Sequence, residues 1–284
     1  MQLKTAFLSF ALLICPCALC YGQVSFLGVN GERGYSAMRG VYVADLDNGF
    51  AFTPSYEFYR QSDASDVEKT GSLYRYGLQA KYDFSDEWAG YGRVLWLPHA
   101  VGNRAVNYYV GGIWYPFYRY GILKNPYVDV RLGQGFYRVW RDKNALPLGS
   151  VYKQTETSTQ IRFGAEVGPG NLEAAWHKVI QYKSPIHNDI SFGWADIPFM
   201  TAVVQGFLRE AAALQVRFPT RFLTPYAAVV RYEYAETGRP ASAVRAGVKL
   251  TQNDVSFSGG VEVFEPRREE NRKTFFSMQV EIDF

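Results

Sequence analysis

Apolar and polar residues alternate with a period of two in segment after segment of this chain. In "YRYGLQAKYDF", Tyr74, Tyr76, Leu78, Ala80, Tyr82 and Phe84 oppose Arg75, Gln79, Lys81 and Asp83. "VDVRLGQGF" sets Val128, Val130, Leu132 and Phe136 against Asp129, Arg131 and Gly133. "TQIRFGAEV" sets Ile161, Phe163, Ala165 and Val167 against Gln160, Arg162 and Glu166. In "YAAVVRYEY", Tyr226, Ala228, Val230, Tyr232 and Tyr234 oppose Arg231 and Glu233; "AVRAGVKL" and "VSFSGGVEV" behave alike. The last segment, "TFFSMQVEIDF", alternates Phe276, Met278, Val280, Ile282 and Phe284 with Ser277, Gln279, Glu281 and Asp283. Successive side chains of a strand point to opposite faces, so each segment reads as an amphipathic β-strand.

The connections narrow the architecture. Asn48-Gly49, Ser85-Asp86-Glu87, Pro169-Gly170 and Gln252-Asn253-Asp254 are tight-turn sequences. Between them lie longer polar stretches at 61–71, 141–156, 236–242 and 265–273. Short and long connections alternate, as in an up-and-down barrel whose two rims differ; a soluble sandwich has no reason to keep that order. Arg and acidic residues share one face of successive strands, where water alone would be satisfied by Lys, Thr or Ser. Inside a barrel such residues pair across strands or line a wet lumen.

The amino terminus supplies the compartment. Lys4 precedes the apolar run Ala6–Cys20, which is too short to cross a bilayer as a helix, and "CYG" follows it. Residues 1–22 are therefore expected to be a cleavable signal peptide, leaving 23–284 as a single domain. A lipoprotein reading of Cys20 is disfavoured by the bulky Leu19 before it. The three cysteines all fall in the leader, which leaves no thiol for a disulfide, a nucleophile or a zinc site in the mature chain. The chain holds 30 Lys plus Arg against 27 Asp plus Glu, and this near-balance is no footprint for nucleic acid. Aromatic residues make up 17% of it while mean hydropathy is −0.18. Many aromatics without overall hydrophobicity means that apolar groups are sorted to one face.

A leader, amphipathic strands throughout and a last strand ending on an aromatic resemble the Gram-negative outer-membrane β-barrel superfamily. Phe276, Val280, Ile282 and Phe284 match the terminal pattern that the resemblance implies is read by the outer-membrane assembly machinery. The resemblance spans the mature chain and implies an antiparallel up-and-down transmembrane barrel bathed in outer-membrane lipid. Both ends on one side require an even number of strands. Strands near 23–31, 38–47, 50–60, 73–84, 88–98, 106–117, 126–139, 157–168, 171–182, 206–218, 224–235, 243–252, 255–264 and 274–284 give about 14, with about 12 as the alternative. The stretch 183–205 is too apolar for a solvated loop; it reads as a loop folded over or into the barrel, or as a further hairpin.

The polar face then supplies the candidate lumen lining: Arg75, Lys81, Arg93, Asp129, Arg131, Arg162, Glu166, Glu173, His177, Arg217, Arg231, Glu233, Arg245, Lys249 and Glu262. Glu57, Asp83, Glu281 and Asp283 add further acids, so the signs nearly cancel, as cross-strand ion pairing would require. A pore field of segregated rows is the alternative. Of the three histidines, His99 and His187 read as rim or loop residues and His177 as part of the lumen network. No serine sits in a nucleophile-elbow motif. "GVNGERG" and "GPGN" open no helix, so they cradle no phosphate, and no cofactor or metal motif is present.

The expected function is a monomeric, porin-like barrel passing small polar solutes, with 183–205 as candidate constriction. A structural or surface-interaction barrel with a closed lumen is the alternative. An outer-membrane enzyme, or an uptake channel for hydrophobic molecules, is a more distant one.

Overall fold

In a computed structural model the backbone of the chain forms one ring of hydrogen-bonded strands. The structure describes residues 21–32, 34–46, 48–61, 71–100, 103–116, 123–140, 151–183, 194–195, 197–202, 204–205, 207–235, 240–265 and 272–284. The first nine strands are β1 (Tyr21–Gly31), β2 (Ser36–Asp45), β3 (Phe50–Gln61), β4 (Gly71–Asp83), β5 (Trp88–Ala100), β6 (Asn103–Trp114), β7 (Leu123–Trp140), β8 (Val151–Val167) and β9 (Gly170–Tyr182). A two-residue pair follows, β10 (Trp194–Ala195) and β11 (Val204–Gln205). The last five are β12 (Leu208–Arg217), β13 (Leu223–Tyr234), β14 (Pro240–Gln252), β15 (Val255–Glu265) and β16 (Lys273–Asp283).

Each strand pairs antiparallel with its chain neighbour, β9 pairs with β12, and β1 closes on β16. The result is a 14-stranded closed barrel, with β10–β11 as a separate ribbon. Closure is what the solvent demands. In hydrocarbon no water can satisfy an open strand edge, and each unpaired N–H or C=O would be destabilising by several kcal/mol.

The terminal aromatic residue belongs to this closure. Phe284 donates its N–H to Gly22 O and accepts from Gly22 N–H, both at 2.9 Å. Its ring stacks on Tyr42 of β2, with centroids 6.1 Å apart and planes 8° apart. Three strands, β16, β1 and β2, are thereby tied at the seam.

The alternation sorts side chains outward and inward. Leu78, Val94, Val110, Leu132, Ile161 and Met278 are among the large apolar residues exposed on the outer face. Aromatics mark the two edges of this band. At the short-connection rim Trp88 stacks on Trp114 at 5.9 Å; near the other rim Tyr76 leans on Trp96 and Tyr108 meets Phe136 edge-on. Trp88 and Trp96 are eight residues apart on β5. That is about 26 Å along a strand and about 20 Å along the membrane normal at a tilt of about 40°, close to the height of an outer-membrane apolar band.

The four turn sequences at 48–49, 85–87, 169–170 and 252–254 all sit on one rim, with Gly49 and Gly168 at positive φ and Asn48 Oδ1 accepting from Phe50 N–H, while the short β1–β2 and β5–β6 connections sit on the other. Strand edges differ from the sequence expectation mainly on the opposite rim. Val151–Glu156 belongs to β8 and Pro240–Ser242 to β14, although both stretches read as loop. Here Lys153 faces out while Gln154 is buried on the inward face, so "VYKQTE" pairs without an apolar period. The leader to residue 20, His187 and the side chain of His99 lie outside the described residues.

Truncating the terminal ring tests the seam. Phe284→Ala removes the Tyr42 stack but keeps the β1–β16 ladder, so the folded barrel is expected to form more slowly and to lose on the order of 1 kcal/mol. Refolding rate into lipid vesicles and the temperature of the heat-modifiable gel shift measure both effects.

Candidate functional site: an inward-folded segment on a charged lumen

The interior divides into two zones. Toward the long-connection rim it is apolar: Leu27, Tyr59, Leu97, Tyr137, Tyr232 and Phe275 are buried there from strands all round the ring. Ile197, Ala202 and Phe207, from the connection between β9 and β12, pack into the same cluster. The stretch 183–205 thus supplies both things its apolar content suggested, the β10–β11 ribbon and a segment folded into the barrel. Phe207 meets Tyr137 and Tyr182 edge-on, at 5.1 and 5.9 Å.

The segment is seated by a few polar contacts. Thr201 donates from both its backbone N–H and its hydroxyl to Glu262 Oε2, at 2.9 Å each. Glu262, on β15, is 1% exposed, so its carboxylate depends on these donors. Arg245, its cross-strand neighbour on β14, donates to Phe199 O at 3.4 Å and to the Tyr226 hydroxyl at 3.2 Å. The Arg162 guanidinium lies over the Phe199 ring at 5.4 Å. Phe199 has φ 63°, a left-handed backbone that is strained for a residue with a Cβ. β8 and β14 are separated by three intervening strands, and the Phe199 tip bridges them.

Beside and below the seat the wall is charged, with Arg39 and Glu57 lining one small cavity together with Thr201. Glu57, at 3% exposure, accepts from Arg75 Nε at 2.8 Å and pairs with Arg39 Nε at 2.8 Å, forming an Arg–Glu–Arg triad across β2, β3 and β4. Arg39 had not stood out in the sequence. Lys81 pairs with Asp83 at 2.8 Å, Arg217 with Glu173 at 3.5 Å, and Lys249 with Glu281. Asp129 accepts from Tyr91 Oη at 2.8 Å, and Glu166 accepts from Asn125 Nδ2 at 2.7 Å. Arg131 lies over the Tyr109 ring at 4.4 Å. Arg93 and His177 also stand on the inward face, Arg93 in register with Gln79 and Tyr109, His177 with Gln160 and Ala211.

Several lumen tyrosines lie flat against the wall. Tyr91, Tyr127 and Tyr226 each cover a glycine directly across on the next strand, Gly111, Gly164 and Gly247. A Cβ at any of these glycines would run into the ring. Laid sideways, the rings occupy the wall rather than the axis.

Two expected lumen residues are misplaced. Arg231 and Glu233 face outward: Arg231 is exposed opposite Ala212, and Glu233 pairs with the exposed Arg209 at 2.8 Å. Tyr226, Ala228, Val230 and Tyr232 take the inward face instead, and Ala228, Val230 and Tyr232 are buried. Arg231 and Glu233 mark where β13 leaves the lipid, which the alternation alone could not distinguish from the lumen. The sequence also assigned tyrosine to the outer face. Shared parity of Tyr91 with Arg93, and of Tyr127 with Asp129 and Arg131, is the signal that would have turned those two inward.

No family model matches the chain, and no curated protein does. Among solved structures, OccAB1 of Acinetobacter baumannii aligns at 9% identity with a TM-score of 0.53, covering 93% of this chain and 95% of that one. A FadL homologue of Pseudomonas aeruginosa aligns at 11% identity, also at 0.53, covering 93% and 90%. CdiB from Acinetobacter baumannii aligns at 9% identity and 0.49 over 92% of this chain, which spans 60% of CdiB's length. At these identities the likeness is one of fold, and the fold is that of the outer-membrane β-barrel.

The buried triad gives a direct test. Glu57→Ala would leave Arg75, whose side chain is 3% exposed, without its carboxylate. Loss of about 3–5 kcal/mol in urea unfolding of the refolded barrel is expected. The double change Glu57→Leu with Arg75→Met should recover most of that loss.

Proposed function

We propose that this protein is an outer-membrane diffusion channel for small polar solutes, with the 197–207 segment as its constriction. The observation that carries the reading is the seat itself. An apolar segment crosses the lumen, and among the described residues its polar seat is a few hydrogen bonds and one cation–π contact, from Thr201, Phe199 and the two arginines, beside the packing of Ile197, Ala202 and Phe207. Each such bond contributes about 1 kcal/mol net and burial of the large apolar side chains about 2 kcal/mol each, so the displaced state is a minor population that weakening the seat would raise. Below the seat, matched charges and flat tyrosines leave a polar wall along which a hydrated solute can pass. A barrel of about 14 strands is wide enough to hold water, where about eight strands are filled by side chains.

In this reading residues 1–22 direct export and are removed, so the mature seam consists of the ladder from Gln23–Asp283 to Gly31–Phe275 and the Phe284–Tyr42 stack, and the terminal strand from Phe276 to Phe284 is the element presented to the assembly machinery. The barrel works as a monomer in the outer membrane, without a cofactor and without catalysis. A closed structural barrel is the second reading, favoured by the buried aromatic cluster at the long-connection rim.

Planar-bilayer recording of the refolded protein separates the two. The channel reading expects steady conductance that rises severalfold, with more frequent gating, when Glu262→Gln is combined with Thr201→Val to weaken the seat. Neutralising Arg162 is expected to shift ion selectivity toward cations. A heat-modifiable, folded barrel that carries no current in either the parent or the loosened variant would overturn the channel and leave the closed barrel.

A further inference from the structure

Three neighbouring strands carry, on their outer face, a feature that neither the lumen nor the apolar band uses. Arg104 of β6, Arg138 of β7 and Lys153 of β8 are all exposed near the long-connection rim. Arg104 is the direct cross-strand partner of Arg138, and Arg138 of Lys153. Residues so opposed have Cβ atoms about 4.5–5.5 Å apart, and like charges in that position repel. Among the described residues none of the three side chains has an ion pair or hydrogen bond.

Several other charges on the upper outer wall are matched within the protein. Arg209 pairs with Glu233 at 2.8 Å, Glu210 accepts from Trp176 Nε1 at 2.7 Å, and Arg272 donates to Glu265 at 2.6 Å. Arg60 and Arg231 stand singly on that face, opposite only Ser or Ala; the basic row alone sets three cations side by side among the described residues, and its surroundings say what it faces. Directly beneath it on the same face are Val106 and Phe136, themselves a cross-strand pair, and then Tyr108 of the aromatic edge. The cations therefore stand one row above the aromatic edge, where hydrocarbon gives way to headgroups.

We infer that Arg104, Arg138 and Lys153 bind the phosphate groups of a multiply phosphorylated lipid headgroup in the outer leaflet. Two guanidinium forks can each grip phosphate oxygens in pairs, and the ammonium adds a point charge beside them. Three adjacent cations match a headgroup bearing more than one phosphate better than a zwitterionic one, which brings its own cation. The site lies on a surface that lipid already covers, so a bound headgroup loses little further freedom. This inference requires an outward face in lipid and is independent of whether the lumen conducts.

The test uses the full chain in detergent micelles, titrated with lipid A and with lipid A stripped of its phosphates. The phosphorylated form is expected to bind at least tenfold more tightly. In the triple variant R104Q/R138Q/K153Q its affinity should fall on the order of 100-fold, from about fivefold per charge. R209Q, which removes a cation outside the row, should leave it unchanged. If the triple variant does not fold, as judged by heat-modifiable migration, R138Q alone should weaken binding about fivefold. Equal affinity for both lipids, or full affinity in a folded R138Q or triple variant, would overturn the site. Abolition of lipid binding by millimolar inorganic phosphate would assign the row to free phosphate instead. A shift from dimer to monomer in the variant, with lipid binding intact, would assign it to a second copy of the chain.

Discussion

Backbone hydrogen bonding in a medium without water is the constraint on which everything else in this molecule rests. Each strand must find a partner on both sides, and only a ring gives every strand two. The ring in turn forces the period of two, since one face of every strand meets lipid and the other meets the lumen. Tight turns on one rim, the even number of strands and the pairing of β1 with β16 are consequences of the same requirement. The seam, where β16 pairs with β1 and Phe284 stacks on Tyr42, is where the requirement is met last along the chain.

Once the wall is closed, the interior has its own problem. Lumen side chains are taken partly out of water, so their charges must be balanced and their donors met. The charged wall does this with near neighbours: Arg39–Glu57–Arg75 and Arg217–Glu173 join adjacent strands, and Lys249–Glu281 reaches across β15. The upper zone does it by bringing in another piece of chain. Glu262, 1% exposed, receives its donors from Thr201, and Arg245 reaches the carbonyl of Phe199. The inserted segment and the wall thus satisfy each other.

The wall was legible in the sequence because lipid imposes a strict rule on alternate residues, and segments such as "VDVRLGQGF" obey it. Legibility failed where that rule stops applying. Above the lipid, Val151–Glu156 continues β8 with polar residues on both faces, and a pattern-based reading turns it into loop. On β13 the outer face is Ala227 and Val229 within the lipid and Arg231 and Glu233 above it, while the inner face carries Val230 and Tyr232. Charge alone therefore pointed the wrong way. The seat was only partly legible: the apolar content of 183–205 announced an inserted segment, but the meeting of Phe199 with Arg162 and Arg245 depends on three-dimensional closure. No local spacing records it.

The seam has a consequence for the order of events in making the molecule. Gln23 and Asp283 are hydrogen-bonded partners, 2.7 Å apart and 260 positions apart in the chain. The first strand to leave the ribosome waits for the last before its outer edge can be covered. For the whole of synthesis and transit that edge is an unpaired template, open to pairing with any other strand it meets. Barrel formation is thus an all-at-the-end event, since bringing such remote partners together has to precede most of its reward. Any partly made chain of this sequence is an open sheet with an oily face, and its survival depends on being held apart from its own kind.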